Sequence, residues 1–165
     1  MSDSQLIAYI GLGSNLVNPV DQINAARSAI NHLPDVQESA FSSLYRSSPM
    51  GPKDQPDYIN AVMAINTTLE PLDLLRKLQQ IENQHGRIRK HQRWGARTLD
   101  LDILLYGDQK INYPELQIPH YGMADRAFVL YPLHEIAPQL DIPGAGKLTD
   151  LLNKVPPDGL EKLKL

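Results

Sequence analysis

The chain has no cysteine, which removes disulfides, thiolate metal sites and cysteine nucleophiles together. Bulky aromatics are scarce: one tryptophan, two phenylalanines and seven tyrosines among 165 residues. A net basic excess is also missing. The formal charge is −3, which argues against a general nucleic-acid binder, whose electrostatic footprint is basic. No apolar run approaches the ~18 residues of a membrane span. The opening MSDSQLIAYIGLG holds no basic segment followed by a long apolar one, so no secretory signal is expected. We therefore expect a soluble, cytoplasmic chain with neither membrane nor nucleic acid among its partners. Repeats and low-complexity segments are absent as well.

What is there suits one globular domain over residues 1–165, long enough to bury a substantial core. Residues 6–13 (LIAYIGLG) read as a strand ending in glycines. Asn18-Pro19 supplies an N-cap and a first-turn proline, and Val20, Ile23, Ala26, Ala29, Ile30 and Leu33 follow at helical spacing. Residues 36–46 and 57–69 read as strands, separated by the proline-rich SSPMGPKDQP. Pro71 opens a second helix, with Leu72, Leu75, Leu78 and Ile81 as its stripe and Gly86 as its end. A strand over 98–106, a small ribbon over 110–118, a helix within 123–136 and a short one over 148–154 complete the reading. The order β-α-β-β-α-β plus a C-terminal extension predicts an α+β, ferredoxin-like antiparallel sheet with two helices on one face. The other face is left for the extension or a ligand.

Within RWGARTLDLDILLYG, Asp100 and Asp102 stand two apart on a strand. Residues i and i+2 share a face and lie ~6.6 Å apart, so both carboxylates face one way while Leu99, Leu101 and Ile103 face the core. Taken alone, this is more simply a half-exposed strand with solvated aspartates. The lead-in changes that. From Asn83 to Leu99 there is no acidic residue, but there are Arg87, Arg89, Lys90, Arg93 and Arg97. A charge run is ordinarily a solvated loop. Set against paired carboxylates, it supplies what phosphoryl transfer needs: Mg²⁺ on the aspartates and guanidinium forks on phosphate oxygens. Residues 87–97 also hold Gly95 and few apolar anchors, and are expected to close over bound phosphates, with Trp94 as a reporter.

GLGSNL fails as a dinucleotide motif, because Leu16 takes the third glycine position and Asn18-Pro19 delays the helix. A strand-to-helix turn using glycine's conformational freedom is the better reading. Tyr58 and Asn60 share a strand face and suit a planar heterocycle, although a core tyrosine and a strand-end asparagine look the same. Pro119 to Phe128 adds His120, Tyr121, Arg126 and Phe128.

Together GLGSNL, LYRSSPMGPKDQPDYINAV, IENQHGRIRKHQRWGARTLDLDILLYG and IPHYGMADRAFVLYPLHEIAP resemble the 6-hydroxymethyl-7,8-dihydropterin pyrophosphokinases of folate biosynthesis, from about residue 7 to 138. The resemblance implies a monomer that uses ATP and two Mg²⁺ ions. It implies transfer of the β,γ-pyrophosphoryl group to the pterin hydroxymethyl oxygen, with release of AMP. It also implies roles for residues. Asp100 and Asp102 match metal ligands, while Arg87, Arg89, Arg97, Ile103, His120, Tyr121 and Arg126 match ATP-site positions. Arg89 and Trp94 match a mobile catalytic loop, in which Arg87 and Arg97 share the catalytic work. Tyr58 and Phe128 match the aromatics that sandwich the pterin, with Asn60 reading its edge. Ser47, Ser48, Pro49 and Met50 match a loop offering main-chain contacts, with serines where well-known members have threonine and proline. Glu115 and Gln117 depart from a basic residue and a threonine near ATP, and an inward Glu115 would oppose phosphate. Glu82 matches a family position without a stated role.

Two other readings use the same elements. A two-metal nucleotidyl transferase on this fold would release pyrophosphate rather than AMP. An RNA-binding module would need exposed aromatics and a basic sheet face, where strand four instead carries Asp100 and Asp102.

Overall fold

The structure, a computed structural model, describes residues 6–15, 18–47, 57–85, 99–157 and 159–163. Strand β1 (Leu6–Ser14) leads to helix α1 (Pro19–Asn31), then β2 (Val36–Phe41), β3 (Tyr45–Ser47) and β4 (Tyr58–Thr67). Helix α2 (Pro71–His85) precedes β5 (Leu99–Tyr106), and β6 (Ile111–Tyr113) and β7 (Leu116–Ile118) form the small ribbon. A 3₁₀ turn (Met123–Asp125), α3 (Ala127–Ile136), β8 (Asp141–Ile142), β9 (Gly146–Lys147), α4 (Leu148–Leu152) and β10 (Leu160–Lys162) follow. The main sheet runs β10-β3-β4-β1-β5, with β2 also on β4, and all of its pairs are antiparallel. This is the expected ferredoxin-like arrangement.

Helices α1 and α2 cover one face. Ile23, Ala26 and Ile30 from α1 and Leu74, Leu78 and Ile81 from α2 are buried against Ile10, Leu12, Leu99, Leu101 and Ile103. Spacings of three and four put each set on one helical stripe, and burial of each large aliphatic side chain contributes ~1.5–3 kcal/mol. The extension packs on the opposite face, where Leu130 and Leu133 of α3 and Leu148 and Leu151 of α4 join Val62 and Leu104 in a second core. It covers only part of that face, and the uncovered part holds the polar residues.

Three local expectations change. Asn18 makes no side-chain cap; it sits in the left-handed region (φ 57°, ψ 58°), which asparagine tolerates better than most residues. The single strand expected over 36–46 is two. Between the pairs Phe41↔Met63 and Tyr45↔Asn60 the outer chain takes four steps to the inner chain's three, so one extra residue bends it. Ser42 bridges that bend by exchanging hydrogen bonds with Val62, the Ser42 N–H donating to Val62 O at 2.9 Å and the Val62 N–H to Ser42 Oγ at 2.9 Å. The C-terminal β10 was not expected at all and completes the sheet edge beside β3.

Candidate active site

Asp100 and Asp102 are solvent-accessible on β5 while Leu99, Leu101 and Ile103 are buried, as the alternation requires. In register, Gly13 of β1 lies between Asp100 and Asn60, and Gly11 between Asp102 and Val62. Cross-strand neighbours share a face, so each glycine leaves an open place beside a carboxylate. A Cβ on Gly13 would come within 3.2 Å of Asn60 Oδ1, and one on Gly11 within 3.4 Å of Leu104. Neither glycine has a positive φ among the described residues. The turn reading of GLGSNL is thus corrected: both glycines lie inside β1, and they matter for the side chains they lack. Their two-residue spacing on a strand was the available signal.

The floor made by Gly11 and Gly13 belongs to a cleft walled by Tyr58, Asn60, Phe128 and Val129, with Asp100, Asp102, His120 and Arg126 at one end. Ser47 lines it too. A second cleft runs from Asp102, Ile103, His120 and Tyr121 to the β6–β7 ribbon, including Asn112, Tyr113, Glu115 and Gln117. Asp102 and His120 belong to both, so the clefts meet there.

After β7 the chain passes through a cis Ile118–Pro119 bond, and the His120 N–H donates to Leu104 O at 3.0 Å, tying this segment to β5. The Gly122 N–H donates to His120 Nδ1 at 3.2 Å, leaving Nε2 to carry the proton of the neutral ring. Burial lowers the His120 pKa, with Arg126 adding to the effect and Asp102 opposing it. Burial in the concave site raises the Asp102 pKa, against the pull of His120 and Arg126. The Tyr121 ring stacks on His120 at 4.9 Å and is 78% exposed. Arg126 packs its guanidinium against Gly122, where a Cβ would lie 2.7 Å from Cζ, and stands 5.8 Å from the centre of the Phe128 ring.

The two carboxylates fit Mg²⁺. Among the described residues no cluster of three or more His, Asp or Glu could enclose a metal, whereas Mg²⁺ retains waters and takes few protein ligands plus substrate phosphates. Glu82 acquires a visible contact, accepting the Leu101 N–H between the two aspartates at 2.8 Å. Glu115 stands in the second cleft and pairs with Arg76 of α2 at 3.5 Å, while Gln117 donates to Asn112 at 3.3 Å. Ile103 is buried in the helix-side core, so its share of the cleft wall is small. Arg87, Arg89, Trp94 and Arg97, the expected closing loop that holds them, and Ser48, Pro49 and Met50 lie outside the described residues.

Residues 9–138 match the family described as 7,8-dihydro-6-hydroxymethylpterin-pyrophosphokinase (HPPK). The chain belongs to this family. HPPK is an ATP-dependent enzyme family whose reaction is pyrophosphoryl transfer from ATP to hydroxymethyldihydropterin in folate synthesis. The 2-amino-4-hydroxy-6-hydroxymethyldihydropteridine pyrophosphokinase of Pseudomonas aeruginosa is 52% identical over 155 residues, 94% of this chain and 95% of that protein. The Haemophilus influenzae protein of the same name is 53% identical over 149 residues, 90% of this chain and 92% of its own length. The crystal structure of Plasmodium falciparum HPPK-DHPS with pteroate superimposes with a TM-score of 0.71 at 15% identity over 93% of this chain. The chain spans 43% of that longer one, and the likeness shows the fold.

Proposed function

We propose that the chain transfers the β,γ-pyrophosphoryl group of ATP to the hydroxymethyl oxygen of 6-hydroxymethyl-7,8-dihydropterin, releasing AMP. One observation carries the reading: an aromatic-walled cleft with a buried amide and a second, polar cleft meet at Asp102 and His120. The pterin ring takes the first cleft, between Tyr58 and Phe128, with Asn60 on its edge. ATP takes the second, with its phosphates directed at the shared wall. The hydroxymethyl oxygen forms a bond to the β-phosphorus and gives up its proton to solvent, and the bond from that phosphorus to the α-bridging oxygen breaks, so that AMP leaves.

Asp100 and Asp102 hold the Mg²⁺ ions, two as the family resemblance has it, which neutralise and orient the phosphates when bound. His120 offers a neutral Nε2–H, and Arg126 a fixed positive charge, toward the same oxygens. Arg87, Arg89 and Arg97 precede β5 in sequence, so their charge leads straight to Asp100; we assign them, with Trp94, to stabilising and enclosing the transferring group. Ser47, Ser48, Pro49 and Met50 complete the pterin side. Tyr121 and Ile103 belong to the ATP side. We further infer one domain acting as a cytoplasmic monomer, which sedimentation would check.

Incubation with ATP, Mg²⁺ and hydroxymethyl-dihydropterin should give AMP and the pterin diphosphate in equal amounts, and no AMP without the pterin. Release of pyrophosphate would favour the nucleotidyl transferase reading instead.

A further inference from the structure

Between His120 and Arg126 the chain folds back on itself. The Met123 N–H donates to His120 O at 3.2 Å, closing a β-turn with Gly122 in its third position (φ −100°, ψ 2°). Any residue can take up that backbone at such a position, so the turn itself does not call for glycine. Space does. A Cβ on Gly122 would lie 2.7 Å from Cζ of Arg126, 2.9 Å from Nη2 and 3.0 Å from Nε. With Cζ nearest and two nitrogens close behind, the broad face of the guanidinium fills the place of the missing side chain. Ordinary carbon contacts begin near ~3.5 Å, so a methyl group there would drive the guanidinium off by about 1 Å.

Only the side chain of Arg126 can yield. Its N–H donates to Met123 O at 3.3 Å, and its carbonyl accepts the Val129 and Leu130 N–H groups, each at 3.0 Å, where α3 begins. From its seat the guanidinium lines the end of the first cleft beside Asp100, Asp102 and His120. Its charge is near enough to favour the ionised Asp102 carboxyl and to disfavour a charged His120. The Phe128 ring, 5.8 Å away at its centre, stands at the limit of cation–π reach and adds little to the hold.

We infer that Gly122 is a positioning residue: by carrying no side chain it leaves the seat in which the Arg126 guanidinium lies, and so keeps that charge at the wall shared by the two clefts, where the nucleotide's phosphates arrive. This rests on the proposed ATP reading of the second cleft. Gly122 itself need not touch either substrate.

Steady-state kinetics and melting curves of the full chain test the inference. Gly122→Ala should lower kcat/KM for ATP at least tenfold, since a cation misplaced by about 1 Å loses much of its hold on the transferring group. The pterin KM should stay within about twofold. The melting temperature should stay within about 2 °C, because the backbone is an ordinary one and the group that must move is the free end of a long side chain. In an Arg126→Ala background, Gly122→Ala should cost less than about twofold further, because the glycine acts only through that guanidinium. The same holds in an Arg126→Lys background, where a slim ammonium on a flexible stem replaces the planar fork. Wild-type kcat/KM in Gly122→Ala, or a penalty that adds in full to that of Arg126→Ala, would overturn the assignment. So would a loss of melting temperature that persists once Arg126 is alanine, since it would place the glycine's part in the turn alone. These failures leave the functional reading standing. A wild-type chain that releases no AMP with ATP, Mg²⁺ and the pterin would overturn that reading, and the inference with it.

Discussion

Asp102 stands close to a histidine and an arginine, yet burial outweighs both and holds its carboxyl above the ordinary range. A carboxyl whose folded pKa is raised makes the folded state relatively less stable above its unfolded pKa, so the ionised group is costly until a cation arrives. Asp102→Asn should therefore leave thermal stability unchanged or slightly higher near pH 7, while lowering kcat by orders of magnitude. Melting curves and turnover on the same preparation check both halves, and near-normal turnover at saturating Mg²⁺ would remove Asp102 from the metal site. On the other wall, Phe128→Ala removes one half of a stacking pair worth ~0.5–1.5 kcal/mol beyond area burial. It should weaken pterin binding about tenfold and ATP binding much less, as titration calorimetry with each ligand would report. The carboxylate pair was legible in sequence because a two-residue period fixes a shared face, as it does for Tyr58 and Asn60; Phe128, on α3, was joined to Tyr58 only by the family resemblance. Gly11 and Gly13 were not legible, since a glycine pair before a helix points equally to a turn. The glycines' partners, Asp102 and Asp100 on one side and Val62 and Asn60 on the other, come from register across three strands, which no local pattern encodes.

At the scale of elements, Glu135 ties α3 to the bend between β2 and β3. It accepts the Tyr45 hydroxyl at 2.6 Å, the Ser43 hydroxyl at 2.8 Å and the Ser43 N–H at 3.0 Å. Burial works against its ionisation, but these donors and Lys162 prevail, and its pKa is lowered. A folded pKa below the unfolded one means that stability is present above the unfolded value and is lost as pH falls through the folded one. Glu135→Gln should thus cost about 1 kcal/mol near neutrality, the carboxylate being exposed. The gap to wild type should close below about pH 4. Urea unfolding across that range reads it, and a gap that persists into acid would assign the tie to shape rather than charge. The helices were legible from their stripes, but α2 centres its buried face on Leu74, Leu78 and Ile81, so that Leu72 and Leu75 of the expected stripe lie at its margin, partly buried. The split of the second strand was not legible, because it depends on one surplus residue opposite β4. Nor was β10, whose Leu160–Lys162 carries no alternating apolar pattern and gains its place only by pairing with β3.

Over the whole molecule, the sheet divides labour between its faces. The helix side is sealed by α1 and α2, and the other is half covered by α3 and α4. The half that remains holds Asp100 and Asp102, with the two clefts on either side of their shared wall. That division followed from the order of elements in the sequence; the meeting of the clefts did not, because His120 reaches Asp102 only through the turn after β7. The most direct test is a crystal structure of the complex with α,β-methylene-ATP, the pterin substrate and Mn²⁺ in place of Mg²⁺, the metal located by its anomalous signal. The account predicts manganese on Asp100 and Asp102, the pterin ring between Tyr58 and Phe128, and the nucleotide along the β6–β7 ribbon. A pterin found against Glu115 and Gln117, or a metal that touches neither aspartate, would contradict it.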